Sequence, residues 1–173
     1  MKTPRHKTLI TEKRIRRRVA DLAEQINSDY KGRELALIFI SRGAFVFTAD
    51  LARKIRLPVR IDCVSANSYR GLKSSGKVEI DANLKIDIKR KHVLLVDDIL
   101  DSGITLNKVI RRLEKLGPAD IRTCVLLDKT SKRKVPLKAD YVGFEIPDVF
   151  VYGYGLDYDE YCRNLPYVAC LKK

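Results

Sequence analysis

The chain has 173 residues, enough for one domain with a sizeable core and too few for two of ordinary size. Its 35 Lys and Arg against 22 Asp and Glu give a net charge of +13, while 45% hydrophobic residues exclude a disordered basic tail. No apolar run approaches the roughly 20 residues of a membrane span, and no apolar stretch follows the basic N-terminus as in a secretory leader, so a cytoplasmic protein is expected.

In chain order, residues 1–20 hold eight Lys or Arg and one acid, a charge of +7 that leaves only +6 for the other 153 residues. Ile15, Val19, Leu22 and Ile26 share one helical face; Thr11 can cap its start, Gly32 lies beyond its end, and the basic residues between them should face outward. Residues 35–40 form an unbroken apolar run that predicts a strand buried on both faces. Ser41-Arg42-Gly43 follows as a turn, then a helix over 44–54 and a strand over 59–64. The polar stretch 69–77, with two glycines, has the composition of a mobile loop.

A short apolar strand over 93–96 stops at acids, and 105–116 is amphipathic with Leu106, Val109, Ile110 and Leu113 on one side. Gly117-Pro118 ends that helix, and a strand over 121–127 completes a strand-helix-strand unit. The pattern predicts an α/β domain, 1–173, with a central, mostly parallel sheet flanked by helices. Shorter strand-like pieces follow at 141–144, 149–152 and 167–171. Cys63, Cys124, Cys162 and Cys170 lack C-x-x-C spacing and read as buried free thiols. His6 and His92 are too few for a zinc site, so any metal should be hard and oxygen-bound.

The chemistry concentrates in residues 93–106, Val-Leu-Leu-Val-Asp-Asp-Ile-Leu-Asp-Ser-Gly-Ile-Thr-Leu. A parallel strand delivers Asp97 and Asp98 to its C-terminal end, where ligands of open α/β sheets bind. Asp101-Ser102-Gly103-Ile104-Thr105 then opens a helix whose free N–H groups, hydroxyls and positive dipole end suit a phosphate dianion. Carboxylates are poor partners for phosphate unless a metal intervenes, but they accept well from two vicinal hydroxyls. Together the parts describe a ribose 5-phosphate cradle; a lone D-S-G would be only a solvated helix start.

This pattern of apolar strand, two acids, two apolar residues and D-[ST]-G-x-T resembles the type I phosphoribosyltransferases. The resemblance spans residues 11–171, and the tail 141–166 is similar to the hypoxanthine (hypoxanthine-guanine) phosphoribosyltransferases nearly throughout. It implies the fold of that family, with a small hood from the C-terminal (145–173) and N-terminal segments. It implies transfer of 5-phosphoribosyl from 5-phospho-α-D-ribose 1-diphosphate to N9 of a 6-oxopurine. Mg²⁺ is the implied cofactor and a homodimer or homotetramer the implied assembly.

By the same resemblance, Asp97 and Asp98 would bind the ribose hydroxyls directly or through Mg²⁺, and residues 101–105 the 5-phosphate. Asp101 would be catalytic, exchanging the purine proton at N7. Lys129 would donate to the 6-oxo group, Phe150 would stack on the base and Val151 would meet its edge. Asp157 would be a Mg²⁺ ligand beside the base. Ser41, Arg42 and Gly43, where a non-proline cis peptide is usual, would bind pyrophosphate together with Arg163. Residues 69–77 would form a lid, with Ser68 and Tyr69 at its base. The first acid of the pair is Asp97 where Glu is frequent, which shortens its reach.

Read without the family, Lys129 is one member of a basic run with Lys132, Arg133 and Lys134; Phe150 and Val151 are strand core, and Asp157 and Arg163 are surface residues of a charged loop or pair with each other. A nucleic-acid-binding regulator on the same fold is the competing reading, raised by the basic first helix and disfavoured by the complete purine-site tail.

Overall fold

The computed structural model describes residues 6–68, 78–81 and 83–171 and contains one six-stranded and one three-stranded sheet. Strand β1 (His6–Ile10) leads into helix α1 (Glu12–Asp29). The Thr11 hydroxyl accepts from the Arg14 N–H at 3.4 Å, and Ile15, Val19, Leu22 and Ile26 are the buried stripe. Next come β2 (Leu35–Ser41), α2 (Phe45–Ala52) and β3 (Val59–Ser68), with β4 (Val78–Asp81) antiparallel to β3. β5 (His92–Leu100), α3 (Ile104–Glu114) and β6 (Asp120–Asp128) form the strand-helix-strand unit. A 3₁₀ turn (Thr130–Lys132) precedes β7 (Tyr141–Glu145). β8 (Val151–Tyr152) and β9 (Val168–Leu171) leave the large sheet, and β9 pairs with β1.

The large sheet runs β4-β3-β2-β5-β6-β7, parallel throughout except for β4. Its two faces explain the unbroken apolar run of β2. Leu35 and Leu37 pack with Ile15, Leu22 and Phe47 on one side; Ala36, Ile38 and Ile40 pack with Leu106, Val109 and Leu113 on the other. Parallel strands also bring their C-terminal ends to one edge, where the acid pair and the phosphate loop lie. The small sheet, β1-β9-β8, is the hood built from both ends of the chain.

Three expectations are corrected. The strand over 93–96 does not stop at the acids: β5 runs to Leu100 and stays paired with β6 through Asp97–Val125 and Ile99–Leu127, since ladder bonds use the backbone only. Arg18 does not face outward; its guanidinium donates to the Val142 and Gly143 carbonyls at 2.7 and 2.9 Å. β7 ends the sheet, so its carbonyls are not all taken by a neighbouring strand. Of the four thiols, Cys124 and Cys170 are buried, but Cys162 is half-buried and Cys63 exposed. Ile61 and Ser65, on the same face of β3 as Cys63, are exposed too, so that face lies outside the core. No helix among the described residues is long and apolar enough to cross a membrane.

Candidate active site

The site forms where β2, β5 and β6 end and the hood folds over them. β2 finishes at Ser41, the Ser41–Arg42 peptide is cis, and Gly43 follows. Gly43 lies so close to Asp98 that a Cβ there would collide with the carboxylate. Gly155 of the hood lies against the Gly43 carbonyl, where a Cβ would stand 2.1 Å from the backbone oxygen, and its φ of +102 also calls for glycine. The turn after β2, the acid pair of β5 and the hood are therefore in direct contact.

Asp97 is 7% exposed and Asp98 half-buried. The Asp98 N–H donates to Asp97 Oδ1 at 3.0 Å, and the Ile99 N–H donates to Asp98 Oδ1 at 2.8 Å. Burial, then the Asp98 charge beside it, holds the Asp97 carboxyl well above the usual range. Burial also raises Asp98, against those hydrogen bonds and the nearby Arg163 cation. Such a pair favours cations or hydroxyl donors over a free anion.

Asp101 follows β5, and its Oδ1 is buried without a hydrogen-bond partner, an acceptor left open for a ligand. Gly103 caps α3 at φ +79, a left-handed conformation open to glycine, and a Cβ there would stand 2.7 Å from Val135 Cγ2. The Ile104 N–H points back to Ser102 Oγ at 3.4 Å. Ser102 and Thr105, both half-buried, are in the chain at the start of α3, where the Ser102 hydroxyl lies against the Ile104 N–H.

β6 ends at Asp128, and the Lys129 N–H donates to the Leu100 carbonyl at 2.9 Å, which ties Lys129 to the residue before Asp101. Lys129 is only 7% exposed, and no acid among the described residues pairs with it. In the hood, Val151 is buried and Phe150 is 50% exposed, its ring edge-on to Tyr158 with centroids 5.8 Å apart.

Arg163 donates to the Gly155 carbonyl at 2.9 Å and pairs with Asp157 at 2.9 Å. Asp157 thus sits with Arg163, and among the described residues no three Asp, Glu, His or Cys gather as a ligand set. Mg²⁺ takes one or two carboxylates and completes its shell with water and substrate phosphates, so Asp97 and Asp98 fit an ion carried by a polyphosphate, whereas Asp157, the third expected ligand, is not brought together with them. Ser68 closes β3, whereas Tyr69 and the predicted lid 69–77 lie outside the described residues.

Sequence reasoning missed two groups. Glu160 bridges the two arginines of the site, 3.1 Å from Arg42 and 3.7 Å from Arg163; its place three residues before Arg163 was the available signal. Arg133, hidden in the basic run after Lys129, pairs with buried Asp128.

Comparison with known proteins agrees with this geometry. Residues 7–159 match the model of the phosphoribosyl transferase domain. The chain belongs to the phosphoribosyl transferase family, and its more particular likenesses lie in one branch. It is 47% identical to the hypoxanthine-guanine phosphoribosyltransferase of Aquifex aeolicus over 94% of this chain and 92% of that protein. It is 46% identical to the hypoxanthine phosphoribosyltransferase of Buchnera aphidicola, over 94% of each. Among solved structures, a Bacillus anthracis hypoxanthine-guanine phosphoribosyltransferase superposes with TM-score 0.89 at 42% identity, covering 97% of this chain and 98% of that one. A Trypanosoma cruzi hypoxanthine phosphoribosyl transferase superposes with TM-score 0.91 at 41% identity, covering 99% of this chain and 94% of that one.

Proposed function

We propose that this enzyme transfers the 5-phosphoribosyl group of 5-phospho-α-D-ribose 1-diphosphate to N9 of hypoxanthine, and of guanine, giving IMP or GMP and pyrophosphate. One observation carries the reading: the glycine turn after β2, the carboxylate of Asp98 and the hood meet in atomic contact at the strand ends. That brings a cradle for phosphate and ribose next to basic groups for a leaving diphosphate.

Residues 101–105 hold the 5-phosphate through N–H groups and hydroxyls at the start of α3, while Asp97 and Asp98 take the ribose hydroxyls. The N9–C1′ bond forms as the bond from C1′ to the diphosphate oxygen breaks. The proton the purine loses leaves through N7 to the open carboxylate of Asp101. Arg42, Arg163 and the N–H groups of the 41–43 turn meet charge that grows on the departing pyrophosphate, so they act most strongly in the transition state. Asp97 and Asp98 would hold Mg²⁺, whose chemistry is to neutralise the diphosphate as it leaves, while Asp157 stays with Arg163. Ser68 and Tyr69 are at the base of the segment 69–77 proposed as a lid.

Lys129 selects the base. A buried ammonium is a donor only, so it binds a 6-oxo group and rejects the 6-amino group of adenine. Phe150 presents a ring face for stacking, and Val151 lies beside it for the base edge.

A nucleic-acid regulator has no support. On the basic helix, Arg18 is committed to β7, Arg16 pairs with Glu12 at 2.6 Å, and Arg14 lies over the Phe144 ring. Self-association as a dimer or tetramer is part of the proposal, favoured by Phe45 and Ile61, which are 46% and 50% exposed; light scattering on the purified chain tests it.

The decisive assay measures pyrophosphate release from the sugar diphosphate and Mg²⁺ with hypoxanthine, guanine, xanthine or adenine. Release with the first two and not with adenine is expected. Release with none of them, or with adenine alone, rejects the reading.

A further inference from the structure

The segment after Lys129 lies against the back of the phosphate loop. Arg133, with 16% of its side chain exposed, forms an ion pair with Asp128, and its other terminal nitrogen donates to the Asp101 carbonyl at 3.2 Å. The next residue, Lys134, donates its N–H to the Ser102 carbonyl at 2.9 Å. Val135 then fills the space over Gly103, where a Cβ would stand 2.7 Å from its Cγ2. Three consecutive residues thus contact three consecutive residues of the loop, in the same order.

Asp128 is itself a junction. It is 7% exposed, its carbonyl accepts from the Ile146 N–H at 2.9 Å, and Lys129 follows it directly. A carboxylate so buried needs a partner, and Arg133 is its one ion-pair partner among the described residues. The planar guanidinium serves two acceptors at once, Asp128 and the Asp101 carbonyl, which a lysine ammonium on a flexible stem matches poorly.

We propose that Arg133 is a positioning residue for base transfer: it clamps the Asp101 carbonyl to Asp128 and so fixes the Lys129 ammonium relative to the Asp101 carboxylate. The two groups address adjacent atoms on one edge of the purine, the 6-oxo group and N7, so their separation must match the base. This inference rests on the base-transfer reading above. The 5-phosphate is held largely by N–H groups at the start of α3, so the clamp bears mainly on the base.

The test is a double-mutant cycle. Arg133→Met is combined with Asp128→Asn, so that no buried charge is left unpaired, in the parent chain and in Lys129→Ala. kcat and KM for hypoxanthine and for the sugar diphosphate are measured, with Tm as a control for folding. In the parent background, kcat/KM for hypoxanthine should fall about 10- to 100-fold, as misplacing a reacting pair does. KM for the sugar diphosphate should move less than about threefold. In the Lys129→Ala background the same pair of changes should lose at least about threefold less, because the ammonium it positions is already gone. Arg133→Lys should not restore the parent rate.

Equal losses in both backgrounds, losses shared equally between the two substrates, or full rescue by Arg133→Lys would each overturn the inference while leaving the base-transfer reading standing. A parent chain that transfers nothing to hypoxanthine overturns both.

Discussion

Two loops of the proposed site are built in opposite ways. The phosphate loop after β5 is braced from behind at each of its first three residues, by Arg133, Lys134 and Val135, and flows into α3 through the Asn107 N–H bond to the Gly103 carbonyl at 3.0 Å. The hood loop is tied to the turn after β2 by an ion pair in the open: Arg42 and Glu160 are 71% and 69% exposed. Asp159, Glu160 and Cys162 of that loop hold left-handed φ angles of 51°, 65° and 68°, each costing about 1 kcal/mol or more for a residue with a Cβ. In the proposed reaction, the ribose 5-phosphate stays bound from start to finish, and the diphosphate must arrive and leave. A rigid cradle suits the first group, and exchangeable ion pairs suit the second.

The largest expected effect tests the cradle. Asp101→Asn keeps shape and removes the proton acceptor, so kcat should fall by about 10² to 10⁴, the usual worth of a positioned acid or base. Tm should barely change, because Oδ1 has no hydrogen bond to lose. A large drop in Tm would show that the carboxylate braces the loop, and the contrast between the loops would rest on stability and not on chemistry.

A second change separates the cradle's function from its stability. Burial raises the Asp97 pKa, so the folded, metal-free protein is penalised once that carboxyl must ionise. The unfolded chain ionises near pH 4; the stability associated with Asp97 is complete below that and is lost as pH rises through the elevated folded value. Asp97→Asn cannot ionise, and its Oδ1 can still accept from the Asp98 N–H. Without metal, this variant should melt higher than the parent at neutral pH, each kcal/mol adding about 2 to 4 °C at this chain length, and the two should converge toward pH 4. Its activity should fall. A variant less stable at neutral pH would mean that the acid pair is held by partners that outweigh burial.

How far the sequence carried differs between the same two regions. The cradle was legible because its chemistry is local: an apolar strand, acids, and a glycine-bearing helix start lie within fourteen residues, and periodicity places them. Even there β5 ran on through the acids, since strand pairing is indifferent to a carboxylate at the strand end. The braces behind the loop were illegible, because nothing in the run Lys129 to Lys134 distinguishes the half-buried Arg133 from its neighbours. The hood was recognised only by family resemblance. Its contacts join residues more than a hundred positions apart, such as Gly43 and Gly155 or Arg42 and Glu160, and no spacing rule reaches that far. Arg18 failed for the same reason: a helical wheel turns it outward, and the end of a sheet 124 residues away turns it in.

The smallest expected effect bears on the hood and decides whether its ion pairs are exchangeable. Glu160 engages both Arg42 and Arg163, the residues assigned to pyrophosphate, and so competes with it. Exposed pairs of this kind contribute only about 0 to 1 kcal/mol, so Glu160→Gln should leave Tm nearly unchanged. Freed of an internal anion, the two guanidinium groups should bind the diphosphate more tightly, and KM for the sugar diphosphate should fall by about two- to fivefold, the equivalent of at most about 1 kcal/mol. Steady-state kinetics at two ionic strengths checks this, since salt should narrow the difference between variant and parent. If KM rises instead, Glu160 aligns the two cations for the diphosphate rather than competing with it. The hood would then be as pre-built as the cradle, and the contrast between the two loops would fail.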